Sequence, residues 1–259
     1  MIANSSLQLD KLTTRQKLIL SGLYLSKFDE VGLNRLGFDS FREAFNLIGY
    51  ALGSRPASIK NYRDEFDPLL SKKRKGWHKR PMREYCREIF SQFKELDIDS
   101  FTGLVKSFVG SDANILSEIE PIDHPEKSES SFAQRLMTGL AAEQYFESIH
   151  NKIPEFNGYL LENTTRFGCG YDFRLRLESE RNDFLAVEVK GLRDDSGSLS
   201  MTPKEYRVAS ELRERFFLVV VKNFRETPSH SIFQDPLSSG LLFKRVERTL
   251  IQTSWMTSI

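Results

Sequence analysis

The sequence predicts an α+β fold in which an N-terminal α-helical domain precedes a domain built around a central mixed sheet. Up to about residue 110, apolar residues recur at three- and four-residue spacing, the period of an amphipathic helix. From residue 171 the period changes to two, and a continuous apolar run at 216–224 follows a helical stretch at 202–215. This order of helix and strand indicates a sheet whose central strand is covered on both faces.

A series of helices is predicted in the first 110 residues. The first begins at the cap-like pair Thr13 and Thr14, and the second follows Asp39 or Ser40. The third is expected to stop before Pro68, because proline lacks the amide hydrogen that a helix interior uses. The predicted spans after the first helix are 38–52, 55–70, 82–96 and 99–110. We assign residues 1–110 to this helical domain.

A polar segment separates the two halves of the chain. Residues 111–130 contain six acids, two prolines and four serines with little periodicity, which is typical of a linker. The domain at 131–259 is then predicted from its pattern. It comprises a helix at 131–150, a hairpin of strands at 171–178 and 184–191, a helix at 202–215 with a capping box at Thr202 and Glu205, the central strand, and an edge strand at 231–236.

Composition and charge exclude several classes of protein. The hydrophobic fraction of 39% is ordinary for a soluble globular protein, and the net charge of +1 means that a polyanion must be met by a local basic patch. No apolar stretch approaches the roughly 20 residues of a membrane helix, and the first residues lack the features of a signal peptide. Cys86 and Cys169 lie far apart, which argues against a zinc cluster or a disulfide scaffold. We expect a cytoplasmic protein without membrane contact.

The stretch FLAVEVKG (184–191) carries an acid and a lysine inside an apolar strand. Glu188 and Lys190 project from one face of it, since side chains alternate with a period of two. If 171–178 pairs with this strand, Asp172 lies beside them. Two carboxylates at short range repel unless a divalent cation lies between them, and oxygen ligands suit Mg²⁺. With a lysine that activates a water or stabilises negative charge, the set suits metal-assisted phosphodiester hydrolysis.

A Glu-x-Lys pair also has a simpler interpretation, because in many strands it is a salt bridge on a solvent-exposed face. The apolar residues on both sides of the pair, and an aspartate one hairpin upstream, favour the catalytic interpretation. Nuclease chemistry based on histidine is disfavoured, because the four histidines show no paired ligand spacing.

The residues GYD (170–172) and VEVKG (187–191) resemble the motif of the PD-(D/E)XK nuclease superfamily, whose core is a mixed sheet flanked by helices. The wider block is similar to the nuclease-type domain at the C-terminus of many bacterial restriction and defence proteins and of the plant protein NO VEIN. Its segments are AAEQYFE (141–147), GYDFRLR (170–176), FLAVEVKG (184–191), TPKEYRVA (202–209) and FFLVVVKNF (216–224). The resemblance covers about residues 130–225, with Gly-Tyr-Asp in place of Pro-Asp as a departure.

This resemblance implies a PD-(D/E)XK-type nuclease domain at 131–259 and a role for each site residue. Asp172 and Glu188 would be metal ligands together with the Val189 carbonyl, and Lys190 would be the catalytic lysine. Glu143 would be an additional acid that reaches the metal site, with Glu147 one turn later as the alternative.

The stretch SKKRKGWHKRP (71–81) concentrates six lysines or arginines within nine residues. Such a run is often only a solvated loop. In a chain of net charge +1 it fits a surface that contacts the phosphate backbone, and nearby Asn and Arg side chains can read base edges. The predicted DNA-binding residues are Lys60, Asn61, Arg63, Lys72, Lys73, Arg74, Lys75, Trp77, Lys79 and Arg80.

Together these features predict a type II restriction endonuclease that makes Mg²⁺-dependent cuts in double-stranded DNA. A homodimer is the simplest arrangement, because each strand needs a nuclease site. Size and layout are similar to BisI-like enzymes, which cut DNA carrying methylated cytosine, and a requirement for 5-methylcytosine is left open. The alternative is an inert DNA-binding or regulatory protein with a nuclease-like domain. An RNA nuclease is a third possibility, disfavoured by the few aromatic residues near the basic run.

Overall fold

The computed structural model describes residues 12–70, 74–77, 79–108, 128–178, 183–247 and 257, and it is α+β. The helices are α1 (Thr14–Arg35), α2 (Phe41–Ala51), α3 (Pro56–Leu70), α4 (Glu84–Phe93), α5 (Ile98–Ser107), α6 (Ser128–Ile149) and α7 (Pro203–Leu212). The strands are β1 (Leu160–Asn163), β2 (Phe173–Arg176), β3 (Leu185–Gly191), β4 (Phe216–Lys222) and β5 (Ser229–Gln234). No helix in the ranges just given is long and apolar enough to cross a membrane.

The strands form one mixed sheet in the order β1-β2-β3-β4-β5. β3 and β4 run parallel, with α7 between them in the chain, while the other neighbouring pairs are antiparallel. The hairpin of β2 and β3, the buried central strand β4 and the edge strand β5 confirm the sequence predictions. The sequence does not predict β1, because the two apolar residues of LLEN are too few to show a period of two.

The two faces of the sheet differ, and this difference positions the polar residues of β3. Val189 belongs to the main core beneath α6. The helix and the strand are so close there that a Cβ on Gly191 would lie 2.6 Å from the Thr138 carbonyl oxygen. Glu188 and Lys190 alternate to the opposite face, toward α7. The strand therefore carries two charged residues without placing either of them in the main core.

Local capping accounts for where the first two helices begin. The Thr13 hydroxyl accepts the amide of Gln16 at 3.3 Å, and the Gln16 side chain accepts the Thr13 amide at 2.9 Å, which completes a capping box. The Ser40 hydroxyl accepts the amide of Glu43 at 3.1 Å. Of the two caps that the sequence offers for α2, Ser40 is therefore the one used and Asp39 is not.

The expectation that α3 stops before Pro68 is wrong, because the helix continues to Leu70. In a helix the amide of residue 68 would donate to the carbonyl of Asp64, and proline has no such amide. Here the Asp64 carbonyl accepts the backbone N–H of Trp77 instead, at 2.8 Å. The segment that follows α3 thus replaces the missing helical hydrogen bond.

The helical part and the sheet share one hydrophobic core, in which α2 packs against α6. At its edge, Asn46 Nδ2 donates to the carbonyls of Phe224 at 2.7 Å and Glu226 at 2.9 Å. Glu43 on α2 is fully buried, and its Oε1 lies 2.5 Å from the guanidinium of Arg193. These contacts hold α2 against the segments that leave β3 and β4.

The chain between the two parts is described only in part. Most of the predicted linker at 111–130 lies outside the described residues, and α6 begins at Ser128, slightly before the predicted start. The division into domains at 1–110 and 131–259 stays a prediction.

Candidate active site

Asp172 lies immediately before β2 and is tied directly to β3. Its amide donates to the Val187 carbonyl at 3.0 Å, which continues the β2–β3 pairing by one residue. Its Oδ2 accepts the amide of Val189 at 2.8 Å. The hairpin register therefore places this carboxylate beside the VEVK segment.

Lys190 is held between two carboxylates that come from different elements. Its Nζ lies 2.6 Å from Oε1 of Glu188, two residues earlier on β3. It also donates to Oε2 of Glu205, in the first turn of α7, at 2.9 Å. Glu205 Oε2 accepts the amide of Thr202 at 3.0 Å as well, because Glu205 completes the capping box of α7. The start of α7 is thereby fixed against the charged face of β3.

Burial and like charges raise the pKa of both strand carboxyls well above their ordinary values. For Asp172 the main cause is burial, followed by the charge of Glu143. For Glu188 it is burial, followed by the charge of Asp172. Burial alone would lower the pKa of Lys190, but the charges of Glu188 and Glu205 outweigh it and raise that pKa instead. The site thus concentrates acids that repel one another around a lysine that stays a cation.

Of the two candidate acids on α6, the structure places Glu143 near the site. Its charge contributes to raising the pKa of Asp172, which requires the two carboxyls to lie close together. Glu147 is exposed and accepts a hydrogen bond from Gln144 at 2.9 Å. A single helical turn therefore separates the acid near the site from one on the open surface.

The carboxylates fit one way of binding Mg²⁺. The described ranges contain no group of three or more His, Cys, Asp or Glu side chains placed to hold a metal ion by themselves. Mg²⁺ does not need one, because it keeps several waters and is usually bound by one or two carboxylates and the substrate phosphates. Asp172 and Glu188 supply two carboxylates, and the charge of Asp172 helps to raise the pKa of Glu188, a repulsion that a divalent cation would relieve.

The sequence pattern predicts only a capping role for Glu205, although its side chain also holds Lys190. Its contact with Lys190 joins residues 15 positions apart on two elements, so no local spacing indicates it. The signal available was its position within TPKEYRVA, a segment of the block that resembles nuclease domains.

Under the nuclease hypothesis that the sequence resemblance implies, Glu205→Gln should lower the turnover number for DNA cleavage roughly 10- to 100-fold, as is typical when a supporting hydrogen bond to a catalytic group is lost. Glutamine still serves a capping box, so folding should be preserved. Removing one of the two charges that raise the pKa of Lys190 lowers that pKa, and the alkaline fall in activity should move to lower pH. The pH–rate profile checks this.

The control for that experiment is Glu211→Gln, since Glu211 lies on the same helix with its side chain 64% exposed. It should match the wild type in rate and in pH profile. A purely structural role for Glu205 would instead lower activity equally at all pH values.

Arg63, predicted to read bases, is placed inside the helical part. Its side chain is buried, with NH2 3.1 Å from Asp29 Oδ1. Its guanidinium lies 3.5 Å from the centre of the Phe41 ring. These contacts join α1, α2 and α3 and leave this side chain little access to a nucleic acid.

Two arginines of the basic run likewise form salt bridges with buried acids. Arg74 Nε lies 2.8 Å from Asp67 Oδ2. Arg80 NH2 lies 2.5 Å from Glu65 Oε2. Both acids are on α3, with side chains only 1% exposed. The arginines therefore attach the segment after α3 to that helix.

The remaining predicted DNA-binding residues are more accessible. Lys60 and Asn61 are exposed on α3, Lys75 and Lys79 are exposed in the segment that follows it, and Trp77 is partly buried. Lys72 and Lys73 lie outside the described residues. Within the described part, Lys75 and Lys79 present accessible positive charge, and Arg80 is exposed as well while it contacts Glu65.

Comparison with known proteins finds similarity in the C-terminal half. The family model described as Protein NO VEIN, C-terminal, matches residues 142–233, which include the whole sheet except the last residue of β5. Glu143, Asp172, Glu188, Lys190 and Glu205 all fall inside the match. Neither the curated proteins nor the solved structures gave a match.

Proposed function

We propose that the protein is a Mg²⁺-dependent endonuclease with a PD-(D/E)XK-type fold that hydrolyses phosphodiester bonds in double-stranded DNA. The observation that carries the proposal is the arrangement of Lys190 between Glu188 and Glu205, with Asp172 hydrogen-bonded to the same strand. An acid pair and a cationic lysine on a mixed sheet flanked by helices form the set that this superfamily pattern requires. The match to the NO VEIN C-terminal family supports the placement of the domain.

Each residue has a distinct role in this proposal. Asp172, Glu188 and the Val189 carbonyl would hold the metal ion, with Glu143 as an additional acid. When bound, Mg²⁺ supplies charge neutralisation at the phosphate and a water of lowered pKa. Lys190 donates a hydrogen bond to a phosphate oxygen and stabilises its developing negative charge. Its raised pKa favours this role over that of a general base, because a base must first lose its proton.

The accessible lysines are the proposed contacts to the DNA backbone. Lys60, Lys75 and Lys79 are exposed, and Asn61 beside Lys60 can reach a base edge. Arg63 and Arg74 support the surface from beneath, whereas Arg80 binds Glu65 and is itself exposed. Affinity should therefore fall as salt rises, with the lysines setting the slope.

We extend the proposal to a type II restriction endonuclease that acts as a homodimer, because cutting both strands requires a site on each. The overall layout, similar to that of BisI-like enzymes, is the basis for including a dependence on 5-methylcytosine.

Cleavage of two matched plasmids, one unmethylated and one carrying 5-methylcytosine, tests the proposal. Each is incubated with the protein in Mg²⁺ and in EDTA. Discrete fragments are expected in Mg²⁺ and not in EDTA. Fragments from the methylated plasmid only would establish modification dependence. Cutting of both plasmids would indicate an ordinary restriction enzyme. Salt-sensitive binding without cutting under any of these conditions would favour the inert DNA-binding protein.

A further inference from the structure

The segment after α3 forms a cavity on the surface of the helical part. The cavity has a volume of about 440 Å³ and is lined by Gly76, Trp77, Lys79 and Arg80. This volume lies within the range of roughly 300–1,000 Å³ that is common for small-ligand sites. Neither the sheet nor the carboxylates of the candidate active site contribute to its lining.

The aromatic wall of this cavity is held in place by a buried carboxylate. The Arg80 guanidinium lies 4.4 Å from the centre of the Trp77 ring, and that of Arg83 lies 5.4 Å away. Both arginines bind Glu65, through contacts of 2.5 Å and 2.9 Å to its Oε2. Burial alone would raise the pKa of Glu65, but the hydrogen bonds from the two arginines lower it. Glu65 therefore stays ionised and fixes both cations against the indole.

The backbone of the same segment is attached to α3 at close range. The Trp77 amide donates to the Asp64 carbonyl at 2.8 Å. Gly76 has a φ of +49°, and a Cβ there would lie 2.2 Å from that carbonyl oxygen, so only glycine fits. The indole is thus positioned before any ligand arrives, which reduces the entropy lost on binding.

The chemistry of the lining indicates which ligand it suits. A fixed indole offers a surface for a planar aromatic group, and stacking on aromatic side chains is a main source of affinity for single-stranded bases. Lys75 and Lys79 are exposed beside it and can meet a phosphate. A nucleotide joins a planar ring to an anionic phosphate and therefore suits this lining. Within a duplex both faces of each base are covered by its neighbours, so only a base outside the stack can enter.

We propose that the cavity lined by Gly76, Trp77, Lys79 and Arg80 binds a single unstacked nucleobase of a DNA strand, stacked on Trp77, with its phosphate held by Lys75 and Lys79. That the bound strand is DNA rests on the proposed function. The site itself does not depend on the chemistry at Lys190.

Intrinsic fluorescence provides a direct test, because the chain has only two tryptophans, Trp77 and Trp255. In a Trp255→Phe variant the emission reports on Trp77 alone. This variant is titrated in EDTA, so that no metal-dependent cleavage occurs, with a short single-stranded oligonucleotide. Parallel titrations use the same backbone made of abasic residues, the matching duplex, and a nucleoside monophosphate.

Saturable quenching by the oligonucleotide, with little or none from the abasic backbone at equal concentration, is the expected result. In a DNA-binding assay that does not use fluorescence, Trp77→Leu should weaken binding of the single strand by about tenfold, the lower range of a lost stacking contact. Trp77→Phe should retain most of the affinity, which controls for misfolding. Lys79→Ala should weaken binding and reduce its salt dependence.

Equal quenching by the abasic backbone would overturn the proposal, since the site would then read phosphate alone. Quenching by the monophosphate but not by the oligonucleotide would assign the cavity to a free nucleotide and overturn the DNA assignment. Absence of quenching by every probe would overturn it as well. Plasmid cleavage without quenching would contradict only this inference, whereas quenching without cleavage would contradict only the nuclease activity.

Discussion

Under the proposed nuclease function, Asp172→Asn should reduce DNA cleavage by roughly a thousandfold or more, because losing the proposed metal ligand would remove several kcal/mol of transition-state stabilisation. Asparagine keeps an oxygen that can accept the Val189 amide, so the β2–β3 connection should survive. It also removes a charge that raises the pKa of Glu188, so the metal-free variant should be at least as stable as the wild type. Plasmid cleavage and thermal unfolding, measured on the same samples, check both statements.

The effect of Mg²⁺ on thermal stability distinguishes the loss of a metal ligand from a purely structural effect of Asp172→Asn. At about ten times its dissociation constant, a bound ion stabilises the wild type by about 1.4 kcal/mol, or roughly 3 °C in Tm for a chain of this size. Asp172→Asn should lose most of that increase while binding DNA normally. Full activity in the variant, or an unchanged response to Mg²⁺, would remove Asp172 from the metal site.

Glu43→Ala should lower the free energy of unfolding by about 3–5 kcal/mol, the usual effect of removing one partner of a buried ion pair. Glu43 is fully buried, accepts the amide of Asp39 at 2.8 Å, and lies 2.5 Å from the Arg193 guanidinium. The substitution leaves Arg193, at the junction of the helices and the sheet, with only its longer contact of 3.5 Å to Asp39, whose side chain is 61% exposed. Urea unfolding followed by circular dichroism measures the effect.

The matched control for Glu43 is Glu226→Ala. Glu226 also pairs with an arginine across the same junction, Arg42, but the two side chains are 61% and 63% exposed. An ion pair in water contributes little, so this change should cost no more than about 1 kcal/mol. Equal losses in the two variants would show that burial is not what makes the Glu43 contact important.

Much of the sheet could be predicted from the sequence because its signals are local. The alternation before Arg176, the turn and the apolar run of β3 lie within one hairpin, and the pairing register then brings Asp172 to Glu188 and Lys190. β4 is recognisable because it is apolar throughout, as a strand covered on both faces must be.

The rest could not be predicted because it depends on tertiary contacts. α3 passes through Pro68 only because the Trp77 amide replaces the missing donor. Arg74 and Arg80 look like phosphate contacts until Asp67 and Glu65 are found buried beneath them. The sequence does not show whether a basic side chain faces solvent or pairs with an acid. The number of lysines and arginines in a basic run therefore overstates how many can bind a ligand.

The shared core has a consequence for how the chain can be divided. The segment that the family model matches begins at residue 142, inside α6, whereas the core to which that helix belongs extends into α1 and α2. A fragment cut at that point would lose more than half of α6 and the surface that covers its apolar side. The segment that the family model matches is therefore shorter than the shared core, and on its own it would leave part of that core uncovered.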